Sequence, residues 1–192
     1  KDIGKIDEVE SKVDFLNLKG LVGLGHCRWS THGSVTKENA HPHTDCKNMI
    51  SIVHNGIIEN YNSLKKVLES KGHTFYSQTD TEVLAKLIED IYSKNPGDFK
   101  KAVQIALAQI EGTYGVAIIH ADFPDQLIVA RKGSPLLLGV GDGEMLIASD
   151  ASAVAEYTDQ VVYLDDGEIM AESYFGLDTR VGDYQIDGQL DV

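Results

Sequence analysis

The sequence predicts an α+β domain built on antiparallel sheets. Three observations carry that prediction. Apolar strand patterns open the chain at Leu21 to Trp29 and Met49 to His54. Helical periodicity fills the middle, from Asn62 to Gly112. From Thr113 onward, short apolar runs alternate with turn-forming clusters. Strands, then helices, then a strand meander do not make a regular βαβ alternation.

Each element has its own signal. Leu21 to Trp29 is apolar and Gly-rich with one charge, Arg28, and reads as a buried strand. The loop from Ser30 to Lys47 is rich in His, Thr, Asn and Gly. Met49 to His54 is a second strand, and Asn55-Gly56 favours a turn after it. Asn62 to Lys71 is helical, with Leu64, Val67 and Leu68 on one face and Gly72 as a stop. Thr79-Asp80-Thr81-Glu82 fits a capping box and starts the next helix. Its apolar face is Val83, Leu84, Leu87, Ile88 and Ile91. Asp98 caps a third helix after the Pro96-Gly97 break.

The meander strands are Val116 to Ile119, Leu127 to Ala130, Leu136 to Val140 and Met145 to Ala148. Phe123-Pro124-Asp125, Gly133-Ser134-Pro135 and Gly141-Asp142-Gly143 are the turns between them. Asp150 to Glu156 reads as a short helix. Val161 to Leu164 and Glu168 to Ala171 flank a hairpin signal at Asp165-Asp166-Gly167. A weak hairpin lies around Gly182 in the polar tail.

The 192 residues suit one domain with a tail, divided here as 1–175 and 176–192. Hydrophobic residues are 42%, enough to build a core, which excludes disorder as the main state. Acids outnumber bases 30 to 17, so a role in binding phosphate backbones or anionic membranes is not expected. No apolar run is long enough to span a bilayer. Two cysteines, Cys27 and Cys46, make no disulfide framework, and a reduced, cytoplasmic setting is expected. The chain opens on Lys1 and a polar stretch, which reads as a segment entering a domain, with the natural beginning missing.

The residues with chemistry to offer cluster between His26 and Gly56. Five of the seven histidines lie there: His26, His32, His41, His43 and His54. Their spacing matches no metal-ligand pattern, so no metal is expected and the histidines read as loop supports beside a pocket. Arg28 sits at the end of an apolar run, where a guanidinium needs a partner. That partner is either an internal carboxylate or an anionic ligand held by the guanidinium fork. Asn55-Gly56 is either a tight turn or an oxyanion hole of one side-chain amide and one backbone N–H. Asp80 either stabilises its helix N-terminus or holds a ligand ammonium. Arg28 and Asp80 together could clamp the two charges of an amino acid. Neither Cys27 nor Cys46 shows an activated setting.

Four ordered motifs then carry a resemblance. They are His26-Cys27-Arg28-Trp29-Ser30-Thr31-His32-Gly33, Asn39-Ala40-His41-Pro42-His43, His54-Asn55-Gly56-Ile57-Ile58-Glu59-Asn60 and Thr79-Asp80-Thr81-Glu82-Val83. Ala130-Arg131-Lys132-Gly133-Ser134-Pro135-Leu136 and Ala148-Ser149-Asp150 also fit. From about Gly4 to the tail, the chain resembles the glutaminase domain of the glucosamine-6-phosphate synthase family, a class II glutamine amidotransferase. The resemblance implies an N-terminal-nucleophile hydrolase fold, a four-layer αββα sandwich with two antiparallel sheets. It implies glutamine hydrolysis through an N-terminal cysteine, with no cofactor. The ammonia would serve C-terminal sugar isomerase domains that turn fructose 6-phosphate into glucosamine 6-phosphate, in a protein that is a homo-oligomer when full length.

Carried over by matching position, Arg28 would bind the α-carboxylate of L-glutamine and Asp80 its α-ammonium. Asn55 and Gly56 would form the oxyanion hole. Trp29, Thr31 and His32 would line the pocket, with Trp29 near the ammonia exit, and His54 would support the hole. The family's initial cysteine has no counterpart at Lys1, so the 192-residue chain alone is expected to be inactive. Three other readings stand beside this one. They are a purine-pathway class II amidotransferase, a non-catalytic amino-acid-binding module and a metal-dependent hydrolase using the histidines. Asn55-Gly56-Ile57-Ile58-Glu59-Asn60 and Lys132-Gly133-Ser134-Pro135 favour the sugar enzymes, because the purine enzymes differ in both places.

Overall fold

The computed structural model describes residues 1–13, 17–30, 33–173 and 188–189. In chain order the elements are α1 (Ile6–Val13), β1 (His43–Thr44), β2 (Ile50–Ile58), α2 (Tyr61–Ser70), α3 (Asp80–Lys94) and α4 (Phe99–Leu107). They continue with β3 (Gly112–His120), β4 (Phe123–Lys132), β5 (Leu137–Val140) and β6 (Met145–Ala148). A 3₁₀ turn at Ala151–Ala153, β7 (Gln160–Tyr163), β8 (Ile169–Ser173) and β9 (Gly188–Gln189) complete them. One sheet has the order β1-β2-β3-β4-β8 and the other β6-β5-β7-β9, and every pair of strands is antiparallel.

Strand periodicity decides the layers. Side chains two apart share a face. Ile50, Ile52 and Ile58 of β2, Val116 and Ile118 of β3, and Ile128 and Ala130 of β4 face the helices. There they meet Leu68, Val83, Leu84, Ile88, Phe99 and Val103. Val53, Ala117, Val129 and Met170 point the other way, onto Leu136, Leu138, Val162 and Leu164 of the second sheet region. The outer face of that sheet puts Leu137 and Val161 against Val154, beside the 3₁₀ turn. The order is therefore helices, sheet, sheet and a short covering segment. Among the described residues no helix is long and apolar enough to cross a membrane.

Several local expectations are corrected. Leu21 to Trp29 forms no strand. It is extended chain that pairs with no strand among the described residues, and its residues alternate between exposed and half-buried. Asn55-Gly56 makes no hairpin, since β2 runs through both to Ile58 in register with β3. Phe123-Pro124-Asp125 lies inside β4, whose first residue pairs with His120 across a bulge. A strand end tolerates the missing N–H of Pro124. Asp165-Asp166-Gly167 turns, but β7 and β8 belong to different sheets, so the connection is a crossover. Arg131 holds that crossover by donating to the carbonyls of Leu164 and Ser134. The polar opening contains α1, which has no buried residue. The hairpin expected at Gly182 and most of the 176–192 tail lie outside the described residues.

The start of α3 is placed correctly, but its chemistry differs from a capping box. The Thr79 side chain makes no cap bond and instead meets His43 Nε2 at 3.0 Å. Glu82 accepts from the backbone N–H groups of Tyr76 and Ser77, and pairs with buried Lys86 at 2.8 Å. Residues 81–90 are buried without interruption, because α3 is packed on several sides rather than on one apolar stripe. The Asp98 cap of α4 is as expected, accepting from Lys101 N–H at 2.9 Å.

Candidate functional site

The site gathers where β2 ends and α3 begins. Gly56 has φ +128°, and a Cβ there would stand 2.2 Å from the Thr113 carbonyl oxygen. Only glycine lets β3 come this close. The Asp80 carboxylate, at the first turn of α3, accepts the Ile58 N–H at 2.8 Å. Thus the helix N-terminus is tied to the strand two residues beyond Gly56. His54 Nε2 is 3.4 Å from the Thr113 carbonyl and Nδ1 is 3.0 Å from Thr81 Oγ1. A carbonyl can only accept, so the Thr113 contact puts the proton on Nε2, while Nδ1 meets the Thr81 hydroxyl, which also lies 3.4 Å from Asp80 Oδ1. Burial lowers the His54 pKa, with Asp80 acting in the opposite direction.

The other histidines extend from Asn55. His26 Nε2 lies 2.9 Å from Asn55 Oδ1. The His26 ring stacks on His41 with centroids 4.0 Å apart, and His41 meets His43 edge-on at 4.9 Å. Burial, followed by the charges of His26, His43, His54 and Arg28, pushes His41 down to about 2. Burial and then Lys1 push His43 down to about 4. The His41 and His43 rings are neutral at ordinary pH. Nδ1 of His26 and Nδ1 of His41 are buried with no hydrogen-bond partner among the described residues. Among the described residues, no three ligand atoms of these histidines converge on one metal position.

Arg28 is half-buried and donates through Nη1 to the Ser34 carbonyl at 3.3 Å. That carbonyl also accepts from Asn39 Nδ2 at 2.9 Å. Gln78 joins the same knot, accepting from Ser34 N–H at 3.2 Å and donating its own N–H to Asn39 Oδ1 at 2.9 Å. Gln78 precedes Asp80 by two residues, so the knot that holds Arg28 adjoins the start of α3. Trp29 is 89% exposed. Thr31 and His32 lie outside the described residues.

A groove of about 750 Å³ opens beside this site. His26, Cys27, Asn55, Gly115, Leu136 and Leu146 are among its walls. Arg28, Gly56 and Asp80 are not, so groove and charged residues meet at the His26–Asn55 pair. The extended segment Leu21 to Cys27 forms one side of the groove. Cys27 and Cys46 are both exposed and unbridged. Partial burial and neighbouring Glu89 push the Cys46 thiol up, the reverse of nucleophile activation.

Sequence reasoning named Arg28, Asn55, Gly56 and Asp80 but gave His26 no role of its own. The one available signal was the density of histidines in this stretch. Asn39 and Gln78, which bind the two halves of the network, had no signal that distinguished them from loop residues.

A glutamine amidotransferase domain model matches residues 26–156. The glutamine–fructose-6-phosphate aminotransferase (isomerizing) of Methanothermobacter thermautotrophicus is 51% identical over 170 residues, covering 88% of this chain and 29% of that protein. The Pyrococcus horikoshii enzyme of the same name is 49% identical over 177 residues, covering 91% of this chain and 29% of that protein. The chain therefore spans under a third of the length of these relatives. Among solved structures, glutamine phosphoribosylpyrophosphate amidotransferase from B. subtilis aligns with a TM-score of 0.58 at 26% identity, covering 78% of this chain and 34% of that one. The two-sheet α+β sandwich is thus the N-terminal-nucleophile type that the motifs implied. With the matched residues running from His26 through Asn55 and Asp80 to Glu156, the chain belongs to the glutamine amidotransferase domain family.

Proposed function

We propose that this chain is the glutamine-hydrolysing part of a longer isomerizing aminotransferase, supplying ammonia that converts fructose 6-phosphate to glucosamine 6-phosphate in a sugar isomerase part. The observation that carries the reading is the 2.8 Å bond between Asp80 and the Ile58 N–H. It sets a carboxylate, which would bind the ligand ammonium, beside the strand end where Asn55 and Gly56 would polarise a side-chain carbonyl. One Asp80 oxygen serves the strand, and the carboxylate keeps acceptor capacity for a ligand ammonium. Arg28 would offer its fork to the α-carboxylate. His26 would hold the Asn55 oxygen and leave the amide Nδ2 hydrogens for the reacting carbonyl.

The names and identities of the relatives favour a fructose 6-phosphate acceptor over the purine-pathway alternative, since the sugar enzymes stand near 50% identity and the purine structure at 26%. In this mechanism the nucleophile is neither Cys27 nor Cys46. Trp29 is the protein's single tryptophan among these 192 residues, and its exposure makes it a reporter. L-Glutamine added to this chain should shift Trp29 emission to shorter wavelength, and Arg28→Lys should abolish the shift at the same glutamine concentration. Emission that ignores glutamine, together with a full-length protein that releases no glutamate from it, would overturn the assignment.

A further inference from the structure

Away from the glutamine site, three side chains from separate segments meet. Cys46 lies in the loop after β1, His73 follows α2, and Glu89 is on α3. Cys46 Sγ is 3.6 Å from His73 Nδ1, and that same nitrogen is 3.6 Å from Glu89 Oε2. One ligand atom from each residue lies within 4.8 Å of the others, and among the described residues no other trio does so. We propose that Cys46, His73 and Glu89 form a binding site for a thiophilic divalent cation of the zinc class.

The spacing is what such an ion needs. A tetrahedral zinc ion with bonds of about 2.3 Å to sulfur and about 2.0 Å to nitrogen and oxygen holds S and N about 3.6 Å apart. It holds N and O about 3.3 Å apart. The two separations to His73 Nδ1, both 3.6 Å, require adjustments of only a few tenths of an ångström, and the sulfur and the carboxylate oxygen lie within 4.8 Å of each other before an ion draws them in. The donor set of one sulfur, one imidazole and one carboxylate suits zinc rather than magnesium or calcium, which require oxygen.

The surroundings orient the ligands. The other His73 nitrogen, Nε2, is 3.9 Å from Asp90 Oδ1. A carboxylate behind an imidazole would, on closing to hydrogen-bond distance, fix its tautomer and leave Nδ1 to the metal. The Cys46 N–H donates to Glu89 Oε2 at 2.9 Å, which holds the carboxylate against the loop. Lys71 and Lys94 each sit 2.7 Å from the other Asp90 oxygen and balance its charge. Cys46 is exposed, which gives the ion an entry path and leaves solvent to fill the fourth position. On binding, the thiol proton goes to solvent and the thiolate sulfur bonds to the ion. The site would staple the β1 loop, the end of α2 and the middle of α3. Glu89 stands about 13 Å along α3 from Asp80, at 1.5 Å per residue, so the ion has no part in holding glutamine.

The test is metal titration of the purified full-length protein after chelator stripping. Zinc should bind with one ion per chain attributable to this site, and cobalt(II) should give a sulfur-to-metal charge-transfer band in the near ultraviolet. Cys46→Ser should remove the band and weaken zinc by at least about tenfold, and Asp90→Asn should weaken it by about 10–100-fold. Cys27→Ser should change neither, and magnesium should not compete. Absence of the band in the unaltered protein, or its persistence in Cys46→Ser, would overturn the proposal. If Cys46→Ser folds poorly by circular dichroism, Glu89→Gln decides the matter, and unchanged zinc affinity in that variant is equally fatal.

Discussion

The His26 imidazole Nε2 stands 2.9 Å from the Asn55 side-chain oxygen. The contact joins an extended segment to the end of β2, across 29 residues of sequence. With the Asn55 oxygen turned to His26, the proposed function would use the amide nitrogen on the reacting carbonyl.

His26→Phe tests this relationship. The phenyl ring can keep the stack on His41 but loses the nitrogen. In the full-length protein, glutaminase kcat should fall by at least about tenfold, below the 10²–10³ cost of removing an oxyanion donor outright. Glutamine KM should change little. A rise in KM with kcat preserved would make His26 a binding group instead.

Arg28→Lys should raise glutamine KM by about tenfold or more. Lysine keeps the charge but cannot make two parallel bonds to a carboxylate, and charge-assisted bonds contribute roughly 1.5–3 kcal/mol each. Asp80→Asn should act in the same direction by removing the ammonium's partner. Its amide oxygen can still accept the Ile58 N–H, so thermal unfolding should move less than in Asp80→Ala. Fructose 6-phosphate KM should be unchanged in both Arg28→Lys and Asp80→Asn. Steady-state kinetics with the two substrates varied separately would show the opposite pattern if Arg28 reads the sugar.

Gly56→Ala meets two obstacles at once. The backbone has φ +128°, and the new Cβ would lie 2.2 Å from Thr113 O. Strain of this kind costs on the order of 1–3 kcal/mol, and the displaced strand would also move Asn55. A lowered melting temperature and lost glutamine response are expected. A variant with the melting temperature of the unaltered protein would mean that β3 yields freely here.

The histidine cluster predicts an acid sensitivity. His43 is 2% exposed, and its pKa is pushed down to about 4. The unfolded imidazole takes a proton near 6.5, whereas the folded one refuses it. Stability is therefore full above about pH 6.5 and declines as pH falls toward 4. The slope approaches about 1.4 kcal/mol per pH unit for each such group. His41, pushed down to about 2, adds with the same sign. Lys1 and Arg28 also oppose the charge on His43, while Glu82 favours it. Urea midpoints measured at pH 7.5, 6.0 and 5.0 should fall in that order, and His43→Gln should flatten the decline. An equal slope in the variant would remove His43 from the account.

Local sequence alone determined α2, α3, α4 and most strands, but not α1. Leu64 and Leu68, or Val83, Leu84, Leu87 and Ile88, sit at helical spacing, and a 3.6-residue period needs no partner to be read. The alternation of Ile50, Ile52 and Val53 likewise marked a strand with two different faces. Motif order singled out Arg28, Asn55 and Asp80 as candidates, which the proposed function takes up. What the tertiary structure decided were relations between distant segments. Asn55-Gly56 has the local signature of a turn, yet it stays in β2 because Thr113 comes against it from β3. Thr79 and Glu82 have the spacing of a capping box, yet His43 and Ser77 offer their side chains other partners. Cys46, His73 and Glu89 are far apart in sequence and fit no ligand motif. Folding brings them together because the β1 loop and the end of α2 both pack against α3. A periodic pattern reports how one segment meets an apolar surface, but a hydrogen bond or a ligand set depends on which other segment arrives, and packing alone settles that.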